Sequence, residues 1–157
     1  MRKVFRMLTW FLLILIVAAV LWVRIAPSNA NEWHVDPETI EKGSRPNQYL
    51  MRDGQDTDSL IFDMPAGDLA AKFNDIALSK PNVVVLDGAA SDLWVTYMQR
   101  TKLMAYPDYI SVKITDEGDG KSRLTLYSRS RFGRSDLGVN KARIKAWTAA
   151  LGQPIVR

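Results

Sequence analysis

The chain has 157 residues, 47% of them hydrophobic and 24% charged, with one histidine and no cysteine, a size that supports one domain behind an apolar N-terminal run. Its net charge of +4 comes from Arg2, Lys3, Arg6 and Arg24; without these four, 17 of the 21 Lys+Arg remain against 17 Asp+Glu. A neutral domain lacks the basic footprint of a nucleic-acid binder, and a chain without cysteine has neither a disulfide framework nor thiolate metal ligands.

Between Arg6 and Arg24 the only polar side chain from Met7 to Val23 is Thr9. At 1.5 Å per residue this run barely reaches across a hydrocarbon core. Trp10 and Trp22 lie near its ends, where indole favours the headgroup layer, and Arg6 and Arg24 can snorkel outward. A cleavable secretory signal is the rival reading, with Ser28-Asn29-Ala30 as the small-residue site. The length of the run, with Trp22 and Arg24 where a signal would turn small and polar, favours a retained anchor over residues 1–24. Arg2, Lys3 and Arg6 precede the run, whereas the next basic residue after Arg24 is Lys42. The positive-inside bias therefore predicts a single-pass membrane protein with its domain facing outward, away from the cytoplasm.

Residues 25–31 read as a short linker and residues 32–157 as one extracytoplasmic domain. From Glu32 to Ser59 no periodicity is sustained, and Pro37, Gly43, Pro46 and Gly54 interrupt the chain. So long an irregular stretch is unusual in a compact domain; Trp33, Tyr49, Leu50 and Met51 favour its wrapping over the domain rather than serving as a tether. A short strand at Leu60–Asp63 leads to a helix entered at Pro65, with Leu69, Phe73 and Ile76 at helical spacing and a stop at Ser79-Lys80-Pro81. Val83–Leu86 is a second short strand.

Three longer strands follow, and their alternation exposes a common core face. Val95 and Tyr97 mark it in Leu93–Thr101, Ile110, Val112 and Ile114 in Asp108–Thr115, and Leu124 and Leu126 in Ser122–Ser130. For the Gly118-Asp119-Gly120 turn, a three-residue loop pairing Glu117 with Lys121 aligns Ile114 with Leu124 and Val112 with Leu126. A two-residue loop pairing Glu117 with Gly120 sets Ile114 against Arg123, so the longer loop is expected. The carboxylates of Asp116, Glu117 and Asp119 read as turn residues rather than a calcium loop. The opposite face carries Trp94, Met98, Arg100, Tyr109, Lys113, Tyr127 and Arg129, and residues 32–58 are expected to cover it, leaving at most a cleft at the margin.

A last helix is predicted from Ser135 or Asp136 to Leu151, with Leu137, Asn140, Ile144, Trp147 and Leu151 in one stripe and Gly152 as its stop. The fold class is α+β: a largely antiparallel twisted sheet of about five strands with two helices on one face, preceded by a transmembrane helix.

Charge within the domain is polarised, with 9 basic residues and one acidic residue from position 120 onward. Where strand turns to helix, Arg129, Arg131 and Arg134 precede the amides of the last helix, together with Ser135 and Asn140, a set of groups that could bind an anion. The opposing reading has the arginines paired with the acidic first half and Ser135 and Asp136 capping the helix. His34, in Trp33-His34-Val35-Asp36, is too isolated for a zinc site, and no metal or cofactor is expected. A hydrolase or transferase using Ser128 or Ser130 with His34 or Asp136 is a formal alternative that lacks a nucleophile-elbow sequence.

The segments Thr96-Tyr97-Met98-Gln99-Arg100 through Tyr106-Pro107-Asp108-Tyr109-Ile110, and Ser128 to Ile144 with Ser-Arg-Phe-Gly-Arg-Ser-Asp-Leu-Gly-Val-Asn-Lys-Ala-Arg, resemble the bacterial and plastid family called domain of unknown function number 1499. Trp33-His34-Val35-Asp36-Pro37 and Arg45-Pro46-Asn47-Gln48-Tyr49-Leu50 match it more weakly. Many members have cysteine or serine directly after the Pro-Asn pair, where this chain has Gln48. The resemblance implies the domain boundaries and an envelope location, and supplies no mechanism. The leading expectation is a membrane-anchored envelope domain, non-enzymatic, that binds an anionic group, a lipid headgroup or a partner protein; a structural accessory subunit of a membrane complex is the third reading.

Overall fold

The computed structural model of the chain describes residues 2–155. Helix α1 (Arg2–Ile25) buries none of its residues and is long and apolar enough to cross a membrane. It does not end in a free tether. The Ala26 N–H donates to the Trp22 carbonyl at 2.8 Å, Ala26 itself is buried, and a short helix α2 (Ala30–Trp33) follows, capped by the Asn29 side chain.

The remaining elements in chain order are β1 (Gln48–Met51), β2 (Leu60–Phe62), α3 (Ala66–Leu78), β3 (Val83–Ala89), β4 (Trp94–Arg100), β5 (Pro107–Gly118), β6 (Lys121–Ser130) and α4 (Val139–Ala149). The strands form one antiparallel sheet in the order β1-β6-β5-β4-β3, and β2 shares the flank of β6 with β1. The α+β class is as the sequence predicts, with a sixth strand. That strand, β1, lies in the stretch that shows no periodicity: Tyr49, Leu50 and Met51 are all buried because both of its faces are covered, so no alternation marks it.

Helices α3 and α4 pack on the face defined by Val95, Tyr97, Ile110, Val112, Ile114, Leu124 and Leu126. Phe73 of α3, Tyr97 of β4 and Trp147 of α4 meet with ring centroids 6.0 to 6.3 Å apart, joining the three layers of contact. Each such aromatic pair adds about 0.5–1.5 kcal/mol beyond the apolar area it removes from water. The β5–β6 register is the predicted one, Ile114 opposite Leu124 and Val112 opposite Leu126. The turn achieves it differently. Gly118 pairs with Lys121 across a two-residue Asp119-Gly120 loop in left-handed conformation, and a bulge at Glu117 absorbs the extra residue.

Helix α4 starts later than predicted, at Val139. Asp136 accepts the N–H groups of Gly138 and Asn140, an extended form of capping that leaves residues 135–138 outside the helix. Leu137 therefore falls out of the predicted stripe; it is 95% exposed, with φ +53°.

The second sheet face is covered by a strap of residues 26–41 rather than by the whole of the expected residues 32–58, because Gln48–Met51 enters the sheet as β1. Trp33 stacks on Tyr109 and His34 on Trp94, each at 4.0 Å, and His34 Nδ1 lies 2.9 Å from the Thr96 hydroxyl. Lys113 binds Asp36 and Glu38, and hydrogen bonding to Asp36 holds its ammonium above the usual lysine range. Arg52 Nη1 donates to the carbonyls of Pro37, Glu38 and Ile40, giving this irregular backbone the partners that regular structure would supply.

Gly88, at φ +74°, lies where a Cβ would meet the Trp94 carbonyl oxygen at 2.3 Å and His34 Cε1 at 3.0 Å. Gly120, at φ +70°, has open space around the same position. Gly120→Ala should thus cost only the left-handed strain, about 1–2 kcal/mol, whereas Gly88→Ala should cost clearly more, because it also displaces the strap. Thermal unfolding of the two variants checks this; equal shifts in Tm would remove the close-approach argument.

Candidate functional site

One end of the core is polar. Gln99, Asp108, Ser128 and Ser130 continue the core-facing rows of β4, β5 and β6 beyond their last apolar residues, and α4 places Asn140 and Arg143 over them. Arg143 donates from Nε to Gln99, from Nη1 to Ser128 Oγ and Asn140 Oδ1, and from Nη2 to Asp108 at 2.5 Å. Asn140, fully buried, also accepts from Ser128 Oγ and donates to the Asn47 carbonyl and Ser130 Oγ. Asn47 in turn donates to the carbonyls of Ser130 and Gly133. This network is saturated, and its chemistry is structural.

That arrangement corrects the hydrolase alternative. Ser128 and Ser130 lie on the core face, bonded to Asn140, while His34 packs on the opposite face against Trp94 and Thr96. A proton cannot pass between them without crossing the sheet. Asp136, the other partner considered, spends both carboxylate oxygens on backbone N–H groups.

The five residues expected to share an anion site occupy three surroundings. Asn140 belongs to the buried network. Arg129, on the other face, donates from Nη2 to the Trp33 carbonyl and lies against the rings of Trp33 and Tyr127, at 5.1 and 4.8 Å. Burial lowers its guanidinium to about 10, so it is charged at neutral pH, and its charge is met by π faces at close range and by the Glu32 carboxylate without a direct ion pair. Arg129 Nη1 and Trp33 Nε1 are buried without an acceptor. Arg131 donates to the Pro27 carbonyl at 2.8 Å, and Arg134 is exposed beside Arg45 in an open depression; Ser135 Oγ accepts the Leu137 N–H. Of the first helical amides, that of Val139 donates to the Asp136 carbonyl and that of Asn140 to the Asp136 carboxylate. Gln48, at the position noted for cysteine or serine, donates to the carbonyls of Gly43 and Arg45 and accepts from the Tyr127 hydroxyl, bracing a turn.

The geometry brings together a different basic set. Where the strap leaves β3 and β4 uncovered, Arg24, Arg100 and Lys102 line a cleft of about 400 Å³ with Asn82, Val84, Met98, Thr101 and Ala105. No carboxylate lines it. Arg24 donates to the Leu103 carbonyl and Arg100 Nη1 to that of Ala105, both at 3.0 Å, so each guanidinium keeps further N–H donors. Arg100 stood out in the sequence as part of the basic face. Lys102 and Arg24 did not, because only the folded path of the strap returns residue 24 to residues 100–105.

Replacing Arg143 by Met leaves the Asp108 carboxylate buried and unpaired, and should destabilise the protein by about 3–5 kcal/mol. Arg134→Ala, at an exposed position, should change stability by no more than about 0.5 kcal/mol. Chemical denaturation of the detergent-solubilised protein measures both, and a mild Arg143 effect would deny the network its structural role.

A family model described as "Protein of unknown function (DUF1499)" matches residues 31–151. No curated protein matches the chain.

Proposed function

The chain belongs to the DUF1499 family, whose description assigns no activity, and we propose that it is a membrane-anchored, non-enzymatic domain that binds an anionic lipid headgroup in the cleft of Arg24, Arg100 and Lys102. One observation carries this reading. Three cations line a cleft without a carboxylate at the point where α1 meets the domain. Guanidinium groups present paired N–H donors that match two phosphate oxygens, and an ammonium adds an orientable point charge. With α1 spanning a bilayer, Arg24 lies at the level of the lipid phosphates, so the ligand reaches the cleft by lateral diffusion.

The location that goes with this reading is a bacterial inner membrane, with the domain on the periplasmic side. Its support is the charge bias at the two ends of α1: Arg2, Lys3 and Arg6 precede the apolar run, and acidic residues dominate the segment after Arg24. The anionic ligand expected near Arg131 and Arg134 moves in this reading to the cleft beside them.

The full chain in nanodiscs of mixed phosphatidylglycerol and phosphatidylcholine, released into detergent and examined by native mass spectrometry, should retain phosphatidylglycerol. The Arg100→Ala/Lys102→Ala variant should lose that adduct, at a cost of about 1–3 kcal/mol for each charged hydrogen bond removed. Equal retention by the two proteins, or no preference for the anionic lipid, would overturn the proposal.

A further inference from the structure

Among the described residues outside α1, the two most exposed large apolar side chains are Leu103, at 79%, and Leu137, at 95%. Single exposed leucines are ordinary on a protein surface. These two lie on loops at the same end of the sheet. Leu103 is in the β4–β5 connection and Leu137 in the β6–α4 connection, and Tyr106 and Phe132 join the loops through a ring contact at 5.7 Å. Both loops are also tied to the end of α1. Arg24 bonds the Leu103 carbonyl, and Arg131 bonds the Pro27 carbonyl.

Leu137 also carries strain. Its φ of +53° places a γ-branched residue in the left-handed region, at about 1–2 kcal/mol. Ser135 and Asp136 hold it there through the N–H groups of Leu137 and Gly138, so a stiff turn presents a leucine to the outside. Lys102 and Arg134, both exposed, flank the two tips. An apolar tip with a basic side chain in the same loop matches the layering of a bilayer surface, with acyl chains beneath phosphates.

We propose that this end of the domain rests on the same bilayer that α1 crosses, with Leu103 and Leu137 dipping into it and Lys102 and Arg134 at the phosphate level. The occupant follows from the junction. Ala26 is buried, and Ser28 Oγ hydrogen-bonds the Tyr109 hydroxyl at 2.7 Å, so no free tether separates α1 from the sheet, and the loops that carry the two tips are bonded to the helix terminus at Leu103 and Arg131. The proposal rests on α1 as a membrane span and not on the ligand of the cleft.

The absence of native cysteine makes the test direct. Leu103→Cys, Leu137→Cys and, at the hairpin on the far end of the sheet, Asp119→Cys are each labelled with an environment-sensitive fluorophore in the full chain, reconstituted into nanodiscs. Labels at 103 and 137 should emit at shorter wavelength and be quenched by lipids carrying a nitroxide near the headgroup, while the label at 119 should do neither. If both tips behave like position 119, or only one tip is quenched, the two-point contact is overturned. Repeating both measurements with Arg100→Ala, which leaves Lys102 at the phosphate level, separates the two proposals: persistent quenching with a weakened lipid adduct supports both. Quenching in an unsubstituted-cleft protein that retains no adduct sinks the cleft alone.

Discussion

The ion pair between Asp108 and Arg143 is the contact on which the arrangement of the chain's loops depends. Two charges removed from water cost several kcal/mol unless geometry and further hydrogen bonds compensate. Here the guanidinium reaches Gln99 of β4, Asp108 of β5, Ser128 of β6 and Asn140 of its own helix. Asn140 extends the grip to Asn47, just before β1. Four strands and a helix are fastened at one point, and both loops that leave it, residues 101–106 and 131–138, start from fixed positions.

The charges of the chain are only partly paired with one another. Lys113 meets Asp36 and Glu38, Arg123 meets Asp53 and Glu117, and Lys42 meets Asp56. Arg129 is accommodated by aromatic faces. Among the described residues, Arg24, Arg100, Lys102, Arg131 and Arg134 are left without an ion pair at the α1 end of the sheet, against one such carboxylate in the same loops, Asp136, which binds backbone N–H groups. Pairing elsewhere in the domain thus leaves net positive charge in one region of a domain that is neutral in sum.

The sheet was legible because Val95, Tyr97, Ile110, Val112, Ile114, Leu124 and Leu126 alternate and because register forces like with like across a hairpin. Strand β1 was not, since burial on both sides erases alternation, and the start of α4 was misplaced because Asp136 caps from two and four residues upstream rather than adjacent to the helix. Covering of the second face was legible in Trp33, an apolar residue without a periodic element to bury it, whereas Tyr49, read with it, lies in β1 and faces the core. The basic cleft was not legible. Its parts, residues 24 and 100–102, are brought together by the turn at Ala26–Ser28, whose sequence signals a flexible connection while its contacts with Tyr109, Met98 and Arg131 make it a fixed one.

That fixed connection has a mechanical side. Ala26 continues the hydrogen bonding of α1, and Pro27, Ser28 and Asn29 are fastened to the sheet or to the next helix within three residues. Helix and sheet must therefore turn as one body. A rotation of α1 about its axis sweeps the free edge of β3 through an arc around the helix, so any neighbour that grips the α1 helix also sets the compass bearing of the domain. Torque, rather than reach, is what such a joint transmits.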